Sequence, residues 1–318
     1  MAHGIIREAD SLSQDEITAW LRALRGRPFV EQSGFDVTAI FKVKAAGKTY
    51  YTAGVNVENP ELIVGTCAEE GAIAAAVTAF GQQVDIVEGW VMGAPSGVET
   101  STLEVYPCGE CRQRIAQYTA PNAPVHIVTL EGKIANTQTR EQLLPHAFSF
   151  RDLEHNAGDD TKMTAPSGEV MSRLFRKPPS ALPQADILAW LQNLHADVRV
   201  SHYGEAVVAQ LANGAYVAGV KVENAAYPSS TTAMQAAMAI MCGQFGRQDV
   251  VALWGMGRGE NNGNAFYLPG GEDLQIARQF AQSDEVIIAR FNAAGEVKES
   301  RLTELLSISP TFTHRHPA

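Results

Sequence analysis

Two short stretches of this chain carry side chains suited to chemistry: TCAEE, with Cys67, Glu69 and Glu70, and PCGECRQ, with Cys108 and Cys111. Taken alone, the CxxC pair suits a metal, a thiol redox couple or two small buried side chains. Adding Cys67 and Glu69 favours a metal. Three thiolates suit zinc, which they bind at about 2.3 Å, and a catalytic site of this kind leaves its fourth position for water. Cys108 and Cys111, three apart behind Pro107, fall on one face of a helix's first turn, and Cys67 opens another helix. Two helix N-termini facing one ion bring partial positive charge and N–H donors to the sulfurs, which lowers thiol pKa values.

The elements that position these residues occur twice. The stretch beginning GVNVEN at Gly54 aligns without a gap on the one beginning GVKVEN at Gly219. In the same order DEITAWLRAL pairs with ADILAWLQNL, DIVEGWVMG with DVVALWGMG, PCGECRQ with PGGEDLQ, and EQLLPHAFSF with TELLSISPTF. Five pairs in one order indicate a tandem duplication. The Gly-, Pro- and Ser-rich stretch between the copies reads as a linker, giving a first domain over 1–158, a linker over 159–180 and a second domain over 181–318.

Within copy one, 15–25 reads as a helix with Ile17, Trp20, Leu21 and Leu24 at helical spacing; 35–43 and 49–57 read as strands around a turn at Gly47. The Ala-rich run 67–80 reads as a helix, 84–92 as a strand, 108–117 as the start of a helix and 125–130 as a strand. The expectation is two tandem α/β/α domains, each a mixed sheet of about five strands flanked by helices.

The copies disagree where chemistry is concerned. Cys67, Glu69, Cys108 and Cys111 become Thr232, Met234, Gly270 and Asp273, while Gly54, Glu58, Asn59, Ala68, Trp90 and Pro107 recur as Gly219, Glu223, Asn224, Ala233, Trp254 and Pro269. Copy two keeps the architecture and loses the site. The fourth cysteine, Cys242, sits in an apolar helix and reads as packing.

Composition sets the surroundings. A chain of 318 residues with 45% hydrophobic and 19% charged content can bury a sizeable core, and a net charge of -10 without a basic patch disfavours a nucleic-acid polymer as partner. No apolar run approaches the roughly 20 residues that span a bilayer, and the opening lacks the apolar core of a secretory signal, so no membrane partner and a cytoplasmic location are expected.

TCAEE and PCGECRQ, preceded by SGFDV (33–37) and GVNVEN (54–59) and followed by LLPHAF (143–148), resemble the cytidine deaminases and their C-x-E…P-C-x-x-C zinc signature. The layout is similar to that of the long bacterial members, in which a degenerate copy follows the catalytic domain. The resemblance implies Zn²⁺ on Cys67, Cys108 and Cys111, with Glu69 as proton shuttle for hydrolytic deamination of cytidine and deoxycytidine. It implies that Asn56 and Glu58 read ribose hydroxyls, that Phe35 lines the base pocket, that the Ala68 N–H meets the base carbonyl and that Phe148 closes the pocket. It also implies a homodimer whose four domains imitate a tetramer of single-domain enzymes.

Three residues depart from that pattern. Glu70 stands where three-cysteine members carry an arginine that offsets thiolate charge, which leaves Arg112 and the helix dipoles to do so. Cys67 stands where long members use histidine, and Leu62 replaces a tyrosine that copy two retains as Tyr227. Other readings are a deaminase of a modified cytosine nucleoside, nucleoside antibiotic or other aminated base, a non-catalytic zinc-stabilised binding or assembly protein, and a thiol redox protein.

Overall fold

The computed structural model describes residues 4–150, 170–194, 203–259 and 265–307. Copy one runs β1 (Ile6–Glu8), α1 (Gln14–Leu24), β2 (Phe35–Ala45), β3 (Lys48–Val55), α2 (Ala68–Phe80), β4 (Asp85–Pro95), α3 (Gly109–Tyr118), β5 (Pro124–Val128), β6 (Ile134–Thr139) and α4 (Arg140–Leu143). Its sheet has the order β1-β3-β2-β4-β5-β6, with β4 and β5 parallel and the other neighbours antiparallel.

Copy two begins with α5 (Val170–Leu174), β7 (Phe175–Arg176), α6 (Gln184–Leu194), β8 (Tyr203–Leu211), β9 (Tyr216–Val220) and α7 (Ala233–Phe245). It continues through β10 (Val250–Gly259), α8 (Gly271–Phe280), β11 (Ile287–Phe291), β12 (Val297–Arg301) and α9 (Leu302–Leu305). Read from β7 its sheet has the order β7-β9-β8-β10-β11-β12, again with a single parallel pair, β10 with β11. The sequence repeat is therefore a repeat of topology.

Each mixed sheet has six strands where about five are expected. The edge strands β1 and β7 are three and two residues long, too short to show an alternation of apolar and polar residues. Both α5 and β7 fall inside the span expected as linker, and residues 151–169, with the expected boundary after 158, lie outside the described residues.

Local signals explain the helices. Ser13 caps α1 in a capping box with Glu16, and Ile17, Trp20, Leu21 and Leu24 bury one stripe against the sheet. By contrast α2 is buried all round, because it packs on its own sheet and also against α7 of copy two. The helix can lie this close because of Gly54: a Cβ there would sit 2.3 Å from both the Ala68 carbonyl oxygen and the Ala72 nitrogen. Both obstacles are backbone, so Gly54→Ala has to push α2 away. Urea unfolding is expected to show a loss of about 3 kcal/mol. An unchanged midpoint would contradict the close approach.

Cys242 is 0% exposed within α7 and burial pushes its thiol up to about 12, as suits a packing side chain. Among the described residues, no helix is long and apolar enough to cross a membrane.

Candidate active site

Two helix starts bring the cysteines together. Cys67 and Cys108 are the N-cap residues of α2 and α3, both with extended backbone (φ -73, ψ 160 and φ -67, ψ 173), so each sulfur stands over a helix's unpaired N–H groups. Cys108 Sγ accepts the Cys111 N–H at 3.4 Å. The sulfurs of Cys67, Cys108 and Cys111 all lie within 4.8 Å of one another. Tetrahedral Zn–S bonds of about 2.3 Å require sulfurs roughly 3.8 Å apart, so the trio fits zinc.

The sulfurs run from buried Cys111 through half-buried Cys67 to exposed Cys108, which leaves an open side for water and substrate. They also share protons. Hydrogen bonds from Cys111 and then Cys67 hold the Cys108 thiol far below its ordinary range, while the Cys108 thiolate pushes Cys67 and Cys111 up. A divalent cation binding there displaces the remaining thiol protons.

Glu69, the second residue of α2, is 4% exposed. Burial, first, and the negative charge of Cys108 raise its carboxyl to about 7, and it lies within hydrogen-bonding reach of Cys111. A carboxyl poised near neutral pH beside a metal trio can both accept and return a proton.

The residues expected around a substrate have further tasks in the fold. Asn56 Oδ1 accepts the Val37 N–H at 2.8 Å and its Nδ2 donates to the Phe35 carbonyl at 2.9 Å. Glu58 Oε2 accepts the N–H groups of Gln32 (2.8 Å) and Ser33 (3.1 Å). Both side chains thus fix the strand entry that carries Phe35. They also flank Val57, whose backbone pairs in both directions with Thr66 next to Cys67 (2.8 Å each). Ala68 is fully buried at the start of α2. Phe148 is 44% exposed, and its backbone carbonyl accepts from Gln113 of α3 at 2.7 Å.

The charge balance differs from the sequence reading. Arg112, expected to offset the thiolates, donates instead to the carbonyls of Pro107 (2.9 Å) and Leu143 (3.2 Å). Glu70 turns towards the interface with copy two, and there Arg114 Nη2 of α3 in copy one meets its Oε1 at 3.3 Å, with both side chains buried. The positive charge of Arg114 lies near enough to feel Glu70 first and then Cys111 and Cys67. Sequence reasoning missed Arg114, although it follows Cys111 by three positions and therefore lies on the same face of α3 as that sulfur.

In copy two the corresponding place is filled from within. The Glu205 carboxylate accepts the Ala233 N–H, and Tyr267 is fully buried against Gly255, where a Cβ would sit 2.1 Å from its ring. Asp273 accepts the Gly270 N–H at 3.0 Å, so these two residues at ligand positions serve as a helix cap.

The family model for the "Cytidine and deoxycytidylate deaminase zinc-binding region" matches residues 18–127. A cytidine deaminase from Sporosarcina psychrophila is 34% identical over 143 residues, covering 45% of this chain and 96% of the relative. One from Shewanella loihica is 27% identical over 239 residues, 73% of this chain and 69% of the relative. The crystal structure of cytidine deaminase from Burkholderia pseudomallei aligns at 24% identity over 43% of this chain and 100% of that one, with a TM-score of 0.36. All three clustered cysteines and Glu69 fall inside the matched span, a relative is matched over nearly its whole length, and the chain belongs to the cytidine deaminase family.

Proposed function

We propose that this chain catalyses the hydrolytic deamination of cytidine and deoxycytidine to the uridine forms, adding water at C4 of the base and releasing ammonia. The observation that carries this reading is a buried Glu69 carboxyl beside three convergent cysteine sulfurs at the starts of two helices. Cys67, Cys108 and Cys111 hold the zinc, which when bound supplies the Lewis acidity that makes water nucleophilic near neutral pH. Glu69 takes a proton from the water and places it on ring N3, then takes the proton of the hydroxyl formed at C4 and delivers it to the departing amine, ending in the state in which it began.

Phe35 lines the base, the Ala68 N–H meets the base carbonyl and Phe148 closes the pocket. Both loop bonds to Glu58 use Oε2, so Oε1 is the atom offered to a ribose hydroxyl, with Asn56 alongside. A free nucleoside in the cytoplasm is the substrate class, because no glycine-rich loop or arginine cluster near the motifs provides a phosphate cradle.

Ammonia release from cytidine, deoxycytidine, cytosine and cytidine monophosphate, with zinc measured on the same sample, tests the reading. Turnover of the two nucleosides is expected. Bound zinc without turnover of any of the four would favour a binding protein, and absence of zinc would favour thiol redox chemistry.

The active unit is a homodimer in this reading. Leu62 and Ile63 are 67% and 73% exposed, and Tyr227, the counterpart of Leu62 in copy two, is 70% exposed, so equivalent turns in both copies present apolar side chains to water. Sedimentation at micromolar concentration is expected to give the mass of two chains, and a monomer would contradict this.

A further inference from the structure

The two copies meet quasi-symmetrically. Gln113 Nε2 reaches Asn224 Oδ1 at 3.2 Å, and its counterpart Gln275 Nε2 reaches Asn59 Oδ1 at 3.2 Å. Likewise α3 packs on the turn Tyr227–Ser229, and α8 on the turn Leu62–Val64. Each contact on one side therefore has a reference on the other, and the places where the pair differs carry information.

One such place lies behind Cys67. Glu70 Oε2 accepts the Cys67 N–H at 3.3 Å, which holds the N-cap residue that carries the sulfur. The other oxygen, Oε1, accepts the Thr231 hydroxyl of copy two at 2.7 Å and pairs with Arg114. Arg114 is itself anchored on copy two, through Nε to the Ser229 carbonyl at 3.0 Å. On the opposite side Gln235 replaces Glu70, Ile276 replaces Arg114, and Thr66 is the counterpart of Thr231. Thr66 is 3% exposed and its hydroxyl has no hydrogen-bond partner, whereas Thr231, 1% exposed, is bonded. The fold keeps a buried threonine at both places, and its hydroxyl is engaged only where the neighbouring carboxylate caps a cysteine of the trio.

The geometry points to Thr231 of the metal-free copy as a positioning residue for the zinc ligand Cys67, acting through Glu70. With Oε1 fixed by a hydroxyl and a guanidinium from one side, Oε2 has one direction left, towards the Cys67 N–H. Loss of the hydroxyl frees the carboxylate to turn towards Arg114 and loosens the backbone that aims the Cys67 sulfur. Copy two, which has Thr232, Gly270 and Asp273 in place of the three cysteines, thus serves the metal site of copy one.

The test uses the full zinc-loaded chain and reads zinc transfer to an excess of a chromophoric chelator, alongside the thermal midpoint. Thr231→Val keeps shape and removes the hydroxyl, and is expected to release zinc about tenfold faster, the lower end of what loss of an outer-sphere partner does. Thr231→Ser restores the wild-type rate. Thr66→Val makes the same change in the mirrored pocket, and although Thr66 adjoins Cys67 in sequence the release rate is expected to stay unchanged. A purely structural interface role would lower the midpoint of Thr231→Val, whose hydroxyl is bonded, and leave release from the folded protein as it was. Thr231→Val with the wild-type rate, or Thr66→Val with an equal acceleration, overturns the inference; should Thr231→Val not accumulate, Thr231→Ala carries the same reading. The inference rests on Cys67 being a zinc ligand. A wild-type chain that holds no zinc defeats that premise, whereas a zinc-loaded wild type beside an unaltered Thr231→Val defeats the inference alone.

Discussion

Glu69→Gln is expected to fold, retain its zinc and lose turnover by about 10⁴-fold. Glutamine has nearly the shape of glutamate, so the buried position at the start of α2 accepts it without a cavity, and the three sulfurs are untouched. The amide can still hydrogen-bond but can neither take a proton from water nor return one. The size of the effect comes from asking one carboxyl to serve every transfer: a base alone contributes about 10²- to 10⁴-fold, and the acid steps are lost with it. Burial has raised Glu69 to about 7, which matches a group that must be both base and acid near neutral pH. The measurement is kcat for cytidine with zinc content on the same preparation. Full activity in the Glu69→Gln variant would remove this residue from the proton path, and loss of zinc would make it a ligand.

The parts of this site that are local in sequence are legible there, and the parts that depend on the second copy are not. Cys67 stands out because it opens the Ala-rich helical run and Cys108 because it stands directly behind Pro107 at the start of another, and Cys111 follows by spacing alone. The duplication is legible as well, since equivalent residues keep equivalent strand registers: Thr38 faces Val55 as Ala206 faces Val220. The charge partner is Arg114 rather than the expected Arg112. Two residues apart on a helix point about 200° away from each other, and only the packing of α3 against copy two decides which face is buried. The Thr231–Glu70 bond spans 161 positions and depends on how the copies dock, for which no spacing rule exists. Asn56 and Glu58 are expected for the ribose hydroxyls that an amide and a carboxylate can bind, whereas their bonds to the Phe35 strand entry arise from a loop whose path the pattern of residues does not specify.

Arg114→Ile is expected to destabilise the zinc-loaded protein by up to about 3–5 kcal/mol, because it strands the Glu70 carboxylate in the interface between the copies. The exposed i,i+4 partner Glu110 adds little to this, since its side chain is 59% exposed. Protonation of Glu70 limits the loss. Burial already raises this carboxyl, against the pull of Arg114 and the Thr231 hydroxyl, and removing Arg114 raises it further. A carboxyl whose folded pKa lies above its unfolded value contributes its stability below the unfolded pKa and loses it as pH rises through the folded pKa. The deficit of the variant is therefore expected to deepen as pH rises, and to be smallest on the acid side. Glu70→Gln added to Arg114→Ile should recover most of the loss, because an amide carries no charge to strand and still bonds to the Cys67 N–H or to Thr231. Copy two already contains this neutral pair, Gln235 with Ile276, where the Gln235 amide takes the Thr232 N–H at 2.9 Å and reaches the Val64 carbonyl at 3.3 Å. Thermal unfolding of the wild type, both single variants and the double variant across the pH range reads the coupling directly. A double variant no more stable than Arg114→Ile, or a deficit independent of pH, would mean that Glu70 and Arg114 do not act as one charge pair.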